Sequence, residues 1–155
     1  MIKYFFIVLF LIGSTVKAQI PGIKDVRLML HQATNNEEAC NKLIKILVPY
    51  NENNNPLLYG YRGGATMIMA KHAFNPFSKL SYFKKGKNML ESAIKSDNTN
   101  IELRFLRYTI QTSVPSFLNY SGEKNADKLF LSKSIPELKD QELKKIINAY
   151  LLKYP

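Results

Sequence analysis

The sequence is poor in the residues that build disulfide-rich, metal-binding or sheet proteins. Its 155 residues include one cysteine, two histidines and no tryptophan. The single cysteine, Cys40, rules out an internal disulfide, so the fold needs an ordinary hydrophobic core in which we expect Cys40 to be buried. His31 and His72 lie far apart, and neither has a second ligand at a metal-binding spacing. We therefore expect no metal and no cofactor.

An apolar run stands at the N-terminus, from Tyr4 to Ile12 behind the positive Lys3. It is shorter than the roughly 20 residues that a membrane-spanning helix needs. Small residues around Ala18 suit a signal peptidase, which predicts a signal peptide over 1–18. An N-terminal membrane anchor is the alternative. We expect an exported protein, periplasmic or secreted, whose mature part has no transmembrane segment.

The mature chain, residues 19–155, has the size of a single α-helical domain. The predicted signal peptide contains Lys3 and Lys17, so its removal lowers the net charge from +10 to +8. The mature protein is therefore still basic, which is compatible with an anionic component of the cell envelope as a partner.

The periodicity of the apolar residues predicts helices. No long alternation of apolar and polar residues occurs, valine is scarce, and spacings of three and four dominate. We predict seven helices, at 23–33, 37–48, 56–72, 78–96, 101–111, 126–132 and 140–153. Because the early links are short, consecutive helices should be antiparallel neighbours. The fold class is all-α, either a short stack of helical hairpins or a compact bundle.

The fourth predicted helix has a distinctive order of small and large residues. Gly86, Leu90, Ala93 and Asn98 are spaced by four, three and five. This resembles the second helix of a tetratricopeptide repeat, with the likeness extending over residues 57–110. The chain departs from that family by having Asn98 in place of proline, a longer connection between the helices and no tryptophan. The resemblance implies stacked hairpins that present a concave surface to a peptide or protein.

The glycine-rich segment "GYRGGA", residues 60–65, has two interpretations. A phosphate-binding loop would need a Gly-Lys-Ser/Thr ending, which is missing. Glycines inside a helix cost about 1 kcal/mol each relative to alanine, so close helix packing is the explanation we favour. A strand formed by "LLYGY" is the alternative.

The basic segment "KKGK" divides between two sides of its helix. Gly86 belongs to the packed side, whereas Lys84 and Lys87, together with Lys95, face solvent and Lys85 lies on the flank. These lysines form either a solvated surface or an anion-binding patch. Glu91 is expected to form an ion pair with Lys87 or Lys95.

Aromatic and basic residues cluster around the connection between the third and fourth helices. Such a mixture is typical of protein interfaces, whereas an exported location argues against nucleic acid as the partner. A simpler explanation is that Phe74, Phe77 and Phe83 seal the end of the hairpin. The candidate binding residues are Arg62, Lys71, Lys79, Tyr82, Lys84, Lys85 and Lys87.

Three functions follow from these observations. The first is a non-catalytic module that binds a protein or peptide in the bacterial cell envelope or outside the cell. The second is a basic protein that binds anionic lipid or polysaccharide. The third is an enzyme that uses Cys40 with His31, although the sequence supplies no orienting residue and no oxyanion donor for that pair.

Overall fold

The computed structural model describes residues 20–154, in which seven α-helices pack with antiparallel contacts. The helices are α1 (Ile23–Ala33), α2 (Glu37–Ile46), α3 (Pro56–His72), α4 (Pro76–Ser96), α5 (Ile101–Ser113), α6 (Lys124–Ser134) and α7 (Gln141–Lys153). Short 3₁₀ turns span Ser116–Leu118 and Ile135–Glu137, and residues 20–154 contain no strand. The all-α prediction is confirmed. The predicted signal peptide lies outside the described residues.

Side-chain caps decide where most of the helices begin. The side chains of Asn36, Asn55, Asn75, Asn100 and Asp140 accept hydrogen bonds from backbone N–H groups at the starts of α2, α3, α4, α5 and α7. These caps occur in the sequence ahead of each apolar stripe. The starts of these five helices are therefore determined by residues next to them in the sequence.

Several helix boundaries differ from the predicted ones. Helix α4 begins at Pro76 and not at Ser78, because Asn75 caps the helix and proline suits its first position. Helix α2 ends at Ile46, and a turn follows it before Pro49. Helix α5 continues to Ser113, two residues beyond its predicted end. Helix α6 is longer than predicted at both ends and spans Lys124–Ser134.

Helix α3 lies at the centre of the fold and contacts α1, α2, α4 and α5. Its most extensive partner is α4, with which it forms an antiparallel hairpin. Its glycines make this packing possible. A β-carbon added to Gly63 would lie 2.7 Å from the carbonyl oxygen of Gly86 and 2.9 Å from the amide nitrogen of Leu90. The packing interpretation of "GYRGGA" is confirmed, and the strand alternative is wrong because residues 56–72 are helical.

The small and large residues of α4 occupy the packed side of that helix. Gly86, Leu90 and Ala93 are buried, and the added β-carbon at Gly60 would contact both Leu90 and Ala93. Asn98 is exposed in the link that follows α4. The predicted division of "KKGK" is confirmed for Gly86, which is buried, and for Lys84 and Lys95, which are exposed, but Lys87 is half-buried and Lys85 is exposed.

A partly buried ion-pair network joins helices that are distant in sequence. Arg27 on α1 donates two hydrogen bonds to Glu102 on α5, at 2.6 and 2.8 Å, and one to Asp140 at the start of α7, at 2.8 Å. The Tyr61 hydroxyl on α3 also donates to Glu102. Burial and the Glu102 carboxylate raise the pKa of Tyr61. The network therefore connects α1, α3, α5 and α7.

A second network fixes α6 and the loop before it. Asp127 is fully buried and accepts hydrogen bonds from Arg104 and Arg107 of α5. Arg107 also donates to Glu91 on α4 at 2.7 Å, and the hydroxyl of Tyr120 donates to the same carboxylate. The predicted intrahelical pairing of Glu91 with Lys87 or Lys95 is therefore wrong. The guanidinium of α5 lies closer to this carboxylate, and Lys87 lies over the ring of Tyr120.

We expect Gly86→Ala to destabilise the protein by about 2 kcal/mol, because its β-carbon would clash with backbone atoms of α3, including the Met67 amide nitrogen at 2.7 Å. Gly64→Ala is the matched control, since its nearest contacts with Leu106 begin at 3.4 Å. That variant should gain up to about 1 kcal/mol from helix propensity. Urea unfolding measures both changes. Equal effects at the two positions would contradict the proposed role of close packing.

We expect Arg27→Met or Glu102→Leu alone to cost about 3 kcal/mol, because each leaves a partly buried charge without its partner. The double variant should lose at least about 1 kcal/mol less than the sum of the single losses. Lys24→Met is the control, because its pairing with Glu142 at 3.2 Å is exposed and worth less than about 1 kcal/mol. Strictly additive urea unfolding energies would exclude coupling between Arg27 and Glu102.

Candidate binding groove

A groove runs along one side of the α3–α4 hairpin, where α2 ends beside it. Its volume is about 590 Å³, within the range of ligand-binding clefts. It is lined by Ile44, Val48, Tyr59, Arg62, Thr66, Lys85, Asn88, Met89 and Ser92. The lining thus combines two cations with neutral polar groups and an apolar wall.

Arg62 is held in a fixed position at the α2 side of the groove. Its Nη1 donates to the carbonyl oxygen of Val48 at 2.7 Å, beyond the C-terminus of α2. Its guanidinium lies over the ring of Tyr59, 4.9 Å from the ring centre. Within residues 20–154 its Nη2 makes no hydrogen bond to protein, so part of the planar donor fork remains for a ligand.

Lys85 lines the groove from α4, whereas Arg62 lines it from α3. Lys85 is exposed and forms no ion pair within the described part of the chain. Asn88 and Ser92 follow it along the helix and add neutral hydrogen-bonding groups. No acidic residue lines the groove. An anionic ligand in the groove would therefore lie near two cations and would not be repelled by a carboxylate of the lining.

The sequence around the groove is free of acidic residues over a long interval. Between Glu52 and Glu91 the chain contains no aspartate or glutamate. The same interval contains six cations: Arg62, Lys71, Lys79, Lys84, Lys85 and Lys87. All six belong to the α3–α4 hairpin. Before Glu91, the hairpin therefore supplies six cations and no acidic residue.

The structure brings only two of the candidate binding residues, Arg62 and Lys85, into the groove. Lys71 donates to the carbonyl oxygen of Thr34 at 3.2 Å, at the far end of α3. Lys79 and Tyr82 are exposed on the first half of α4. The remaining candidates do not line the groove either: Lys84 is exposed and Lys87 is half-buried.

The end of the hairpin differs from the predicted hydrophobic seal. Phe83 is buried and packs edge-on against Tyr120, with ring centres 5.9 Å apart. Phe74 and Phe77, however, have exposed fractions of 101% and 88%. The prediction that these two rings seal the hairpin is wrong, because nearly all of their surface is exposed and Phe83 alone of the three is buried.

Most of the apolar and neutral residues that line the groove could not be predicted from the sequence. Thr66, Met89 and Ser92 lie on flanks of helices whose apolar stripes point elsewhere, and Ile44 and Val48 come from another helix and its following turn. The interval without acidic residues is the one signal that could have located this surface in advance. It identifies the hairpin but not which face of it is concave.

The structure does not assemble a Cys40–His31 pair. Cys40 is fully buried, as predicted, and its thiol donates to the carbonyl oxygen of Ala65 at 3.2 Å. His31 is exposed on α1, and within residues 20–154 it forms no hydrogen bond with that thiol. His72 is half-buried, with its Nε2 at 2.9 Å from the carbonyl oxygen of Ala33. The two histidines therefore lie in unrelated surroundings.

Two further findings concern residues 20–154 as a whole. They contain no group of three or more histidine, cysteine or acidic side chains placed to hold a metal ion. None of their helices is both long enough and apolar enough to cross a membrane.

Comparison of the chain with protein families, with curated proteins and with solved structures finds no match. The groove and the hairpin are therefore interpreted from their own residues.

We expect Cys40 to resist alkylation by iodoacetamide at pH 8 in the folded protein and to react readily in urea. Burial raises the pKa of the Cys40 thiol to about 11, so the reactive thiolate is scarce at pH 8. Mass spectrometry of the modified protein measures the rate. Rapid alkylation without denaturant would contradict a buried, structural thiol.

The same raised pKa has a consequence for stability. The unfolded thiol ionises near pH 9 while the folded one stays neutral to about pH 11, so stability is lost as the pH rises through that window. Relative to Cys40→Ala, the wild-type chain should lose about 2 kcal/mol between these pH values.

Proposed function

We propose that the chain is a non-catalytic module that binds an acidic peptide segment of a partner protein in the groove between α2, α3 and α4. The partner belongs to the bacterial cell envelope or its exterior, in keeping with the predicted signal peptide. The helical hairpins, which resemble tetratricopeptide repeats around residues 57–110, act as the scaffold. No cofactor enters this proposal.

The observation that carries the proposal is that Arg62 and Lys85 line the same groove, and that no acidic residue lines it. Arg62 is already oriented by Val48 and Tyr59, so little side-chain entropy would be lost when it binds a carboxylate. A planar guanidinium with a free Nη2 suits a carboxylate better than a point cation alone. The cations thus favour a ligand with acidic groups.

The rest of the lining favours a peptide over a small inorganic anion. The walls between the cations are formed by Tyr59, Met89 and Ile44, which would contact apolar side chains. Methionine adapts to varied partners, and tyrosine and arginine are frequent in interface hot spots. From Lys85 to Ser92 the groove wall extends about 10 Å along α4, enough for about three residues of extended chain.

A basic surface that binds anionic lipid or polysaccharide through Lys84, Lys85 and Lys87 is the alternative. It differs from the groove proposal in a testable way, because Lys84 and Lys85 are adjacent but only Lys85 lines the groove. Binding by general positive charge would depend equally on both lysines. Of these two lysines, binding in the groove would depend on Lys85 only.

The test uses fluorescein-labelled peptides that combine acidic and aliphatic residues, with matched peptides carrying glutamine in place of each acidic residue. Fluorescence anisotropy should detect the acidic peptides and weaker or no binding of the glutamine set. We expect Lys85→Glu to weaken binding about tenfold, which corresponds to about 1.4 kcal/mol. Lys84→Glu should leave the affinity within about twofold, since exposed charges outside a contact are largely screened by salt.

Lys145→Glu is the control for net charge, because Lys145 is exposed on α7. Urea midpoints of all variants establish that each one folds. Equal losses for Lys84→Glu and Lys85→Glu would favour the general basic surface and reject the groove. Failure of every acidic peptide to bind would reject the peptide-binding proposal itself.

A further inference from the structure

The turn between α3 and α4 exposes two phenylalanine rings on a rigid support. Phe74 and Phe77 have exposed fractions of 101% and 88%, the highest among the large apolar residues of the described chain. Asn75, which lies between them, accepts a hydrogen bond from the amide of Ser78 at 2.8 Å, and Pro76 fixes the first position of α4. The rings are therefore held in water by ordered backbone, not by a loose loop.

Positive charge surrounds this tip, which we define as residues 71–80. Lys71 and Lys79 are exposed on either side of the two rings, and Leu80 is partly exposed next to them. The tip contains no acidic residue. Glu37 and Glu38 lie at the start of α2, at the same end of the molecule, since Thr34 just before them accepts a hydrogen bond from Lys71. The positive charge of the tip itself comes from Lys71 and Lys79.

We propose that this tip inserts Phe74 and Phe77 into the interface of an anionic phospholipid bilayer while Lys71 and Lys79 contact the headgroups. Aromatic rings and lysine stems are suited to the boundary between headgroups and acyl chains. Anionic lipid attracts each nearby lysine by an amount that corresponds to about fivefold in affinity. The site is separate from the groove and does not depend on the peptide-binding proposal.

Other occupants fit the tip less well. Two phenylalanine rings offer about 300–500 Å² of surface, below the roughly 600 Å² or more that each partner of a stable protein interface buries. A second copy of the chain would place the lysines of one tip against those of the other. A bilayer requires neither a large matching surface nor negative side chains. Charge and area therefore both favour lipid.

The test uses the full chain, so that the N-terminal apolar run is common to all variants. Because the sequence contains no tryptophan, Phe77→Trp gives a single reporter. With vesicles of phosphatidylcholine and phosphatidylglycerol, its emission should shift to the blue and be quenched by brominated acyl chains. Phe117→Trp is the matched control, because Phe117 is 82% exposed and belongs to the 3₁₀ turn Ser116–Leu118, outside the tip. Its emission should not change.

Vesicle flotation supplies the affinities. We expect Phe74→Ser with Phe77→Ser to weaken binding about tenfold or more, and Lys71→Gln with Lys79→Gln by about twentyfold at low salt. Phe117→Ser and the pair Lys133→Gln with Lys145→Gln should have little effect. Circular dichroism should show every variant folded, since all of these residues are exposed.

Four results would overturn the proposal. The first is an unchanged Phe77→Trp emission in the presence of anionic vesicles, and the second is equal losses for the tip and control variants. The third is a concentration-dependent dimer, measured by sedimentation, that Phe74→Ser with Phe77→Ser dissociates, since it would assign the tip to self-association. Equal insertion into vesicles of pure phosphatidylcholine would remove the lysines from the mechanism and would also contradict the proposal as stated.

Discussion

The close approach of α3 and α4 at Gly63 and Gly86 is the constraint on which the rest of this structure depends. The two backbones meet where neither residue has room for a β-carbon. This contact makes the hairpin rigid enough to lie at the centre of the fold, with α1, α2 and α5 packed against α3. Glycine reduces helix propensity, and the dispersion contacts of two closely packed helices offset that loss.

The same contact positions both surfaces for which we propose functions. The groove lies beside the hairpin, where Arg62 of α3 and Lys85 of α4 line it together with residues from the end of α2. The tip lies at the end where α3 and α4 join, and its two rings are exposed. A peptide and a membrane could therefore be bound by one rigid element at separate positions.

Polar networks complete the fold in a way that restricts its dynamics. Arg27 joins the first helix to Glu102 and to the start of the last helix, and Asp127 joins α5 to α6. Burial acts to lower the pKa of the Arg107 guanidinium, but the carboxylates of Asp127 and Glu91 outweigh it and raise that pKa. Buried charges of this kind are costly when unpaired, so each network favours a single arrangement of the helices. The hairpin is thus supported by a scaffold with little freedom to rearrange.

The sequence by itself determined the local structure. Apolar spacing together with the caps Asn36, Asn55, Asn75, Asn100 and Asp140 specifies helices and most of their starts, because capping and periodicity are properties of neighbouring residues. Gly86, Leu90 and Ala93 also identified the packed side of α4. The burial of Cys40 followed from its place on the apolar stripe of α2.

Only the tertiary structure decided the partners of residues that are far apart in sequence. Glu91 pairs with Arg107 and not with a lysine of its own helix, since a guanidinium of α5 is brought closer to it. Arg62 and Lys85 line one groove, whereas Lys71 and Lys79 do not. Phe74 and Phe77 were expected to seal the hairpin and are exposed, because burial depends on which parts of the chain pack against a ring and not on its hydrophobicity alone.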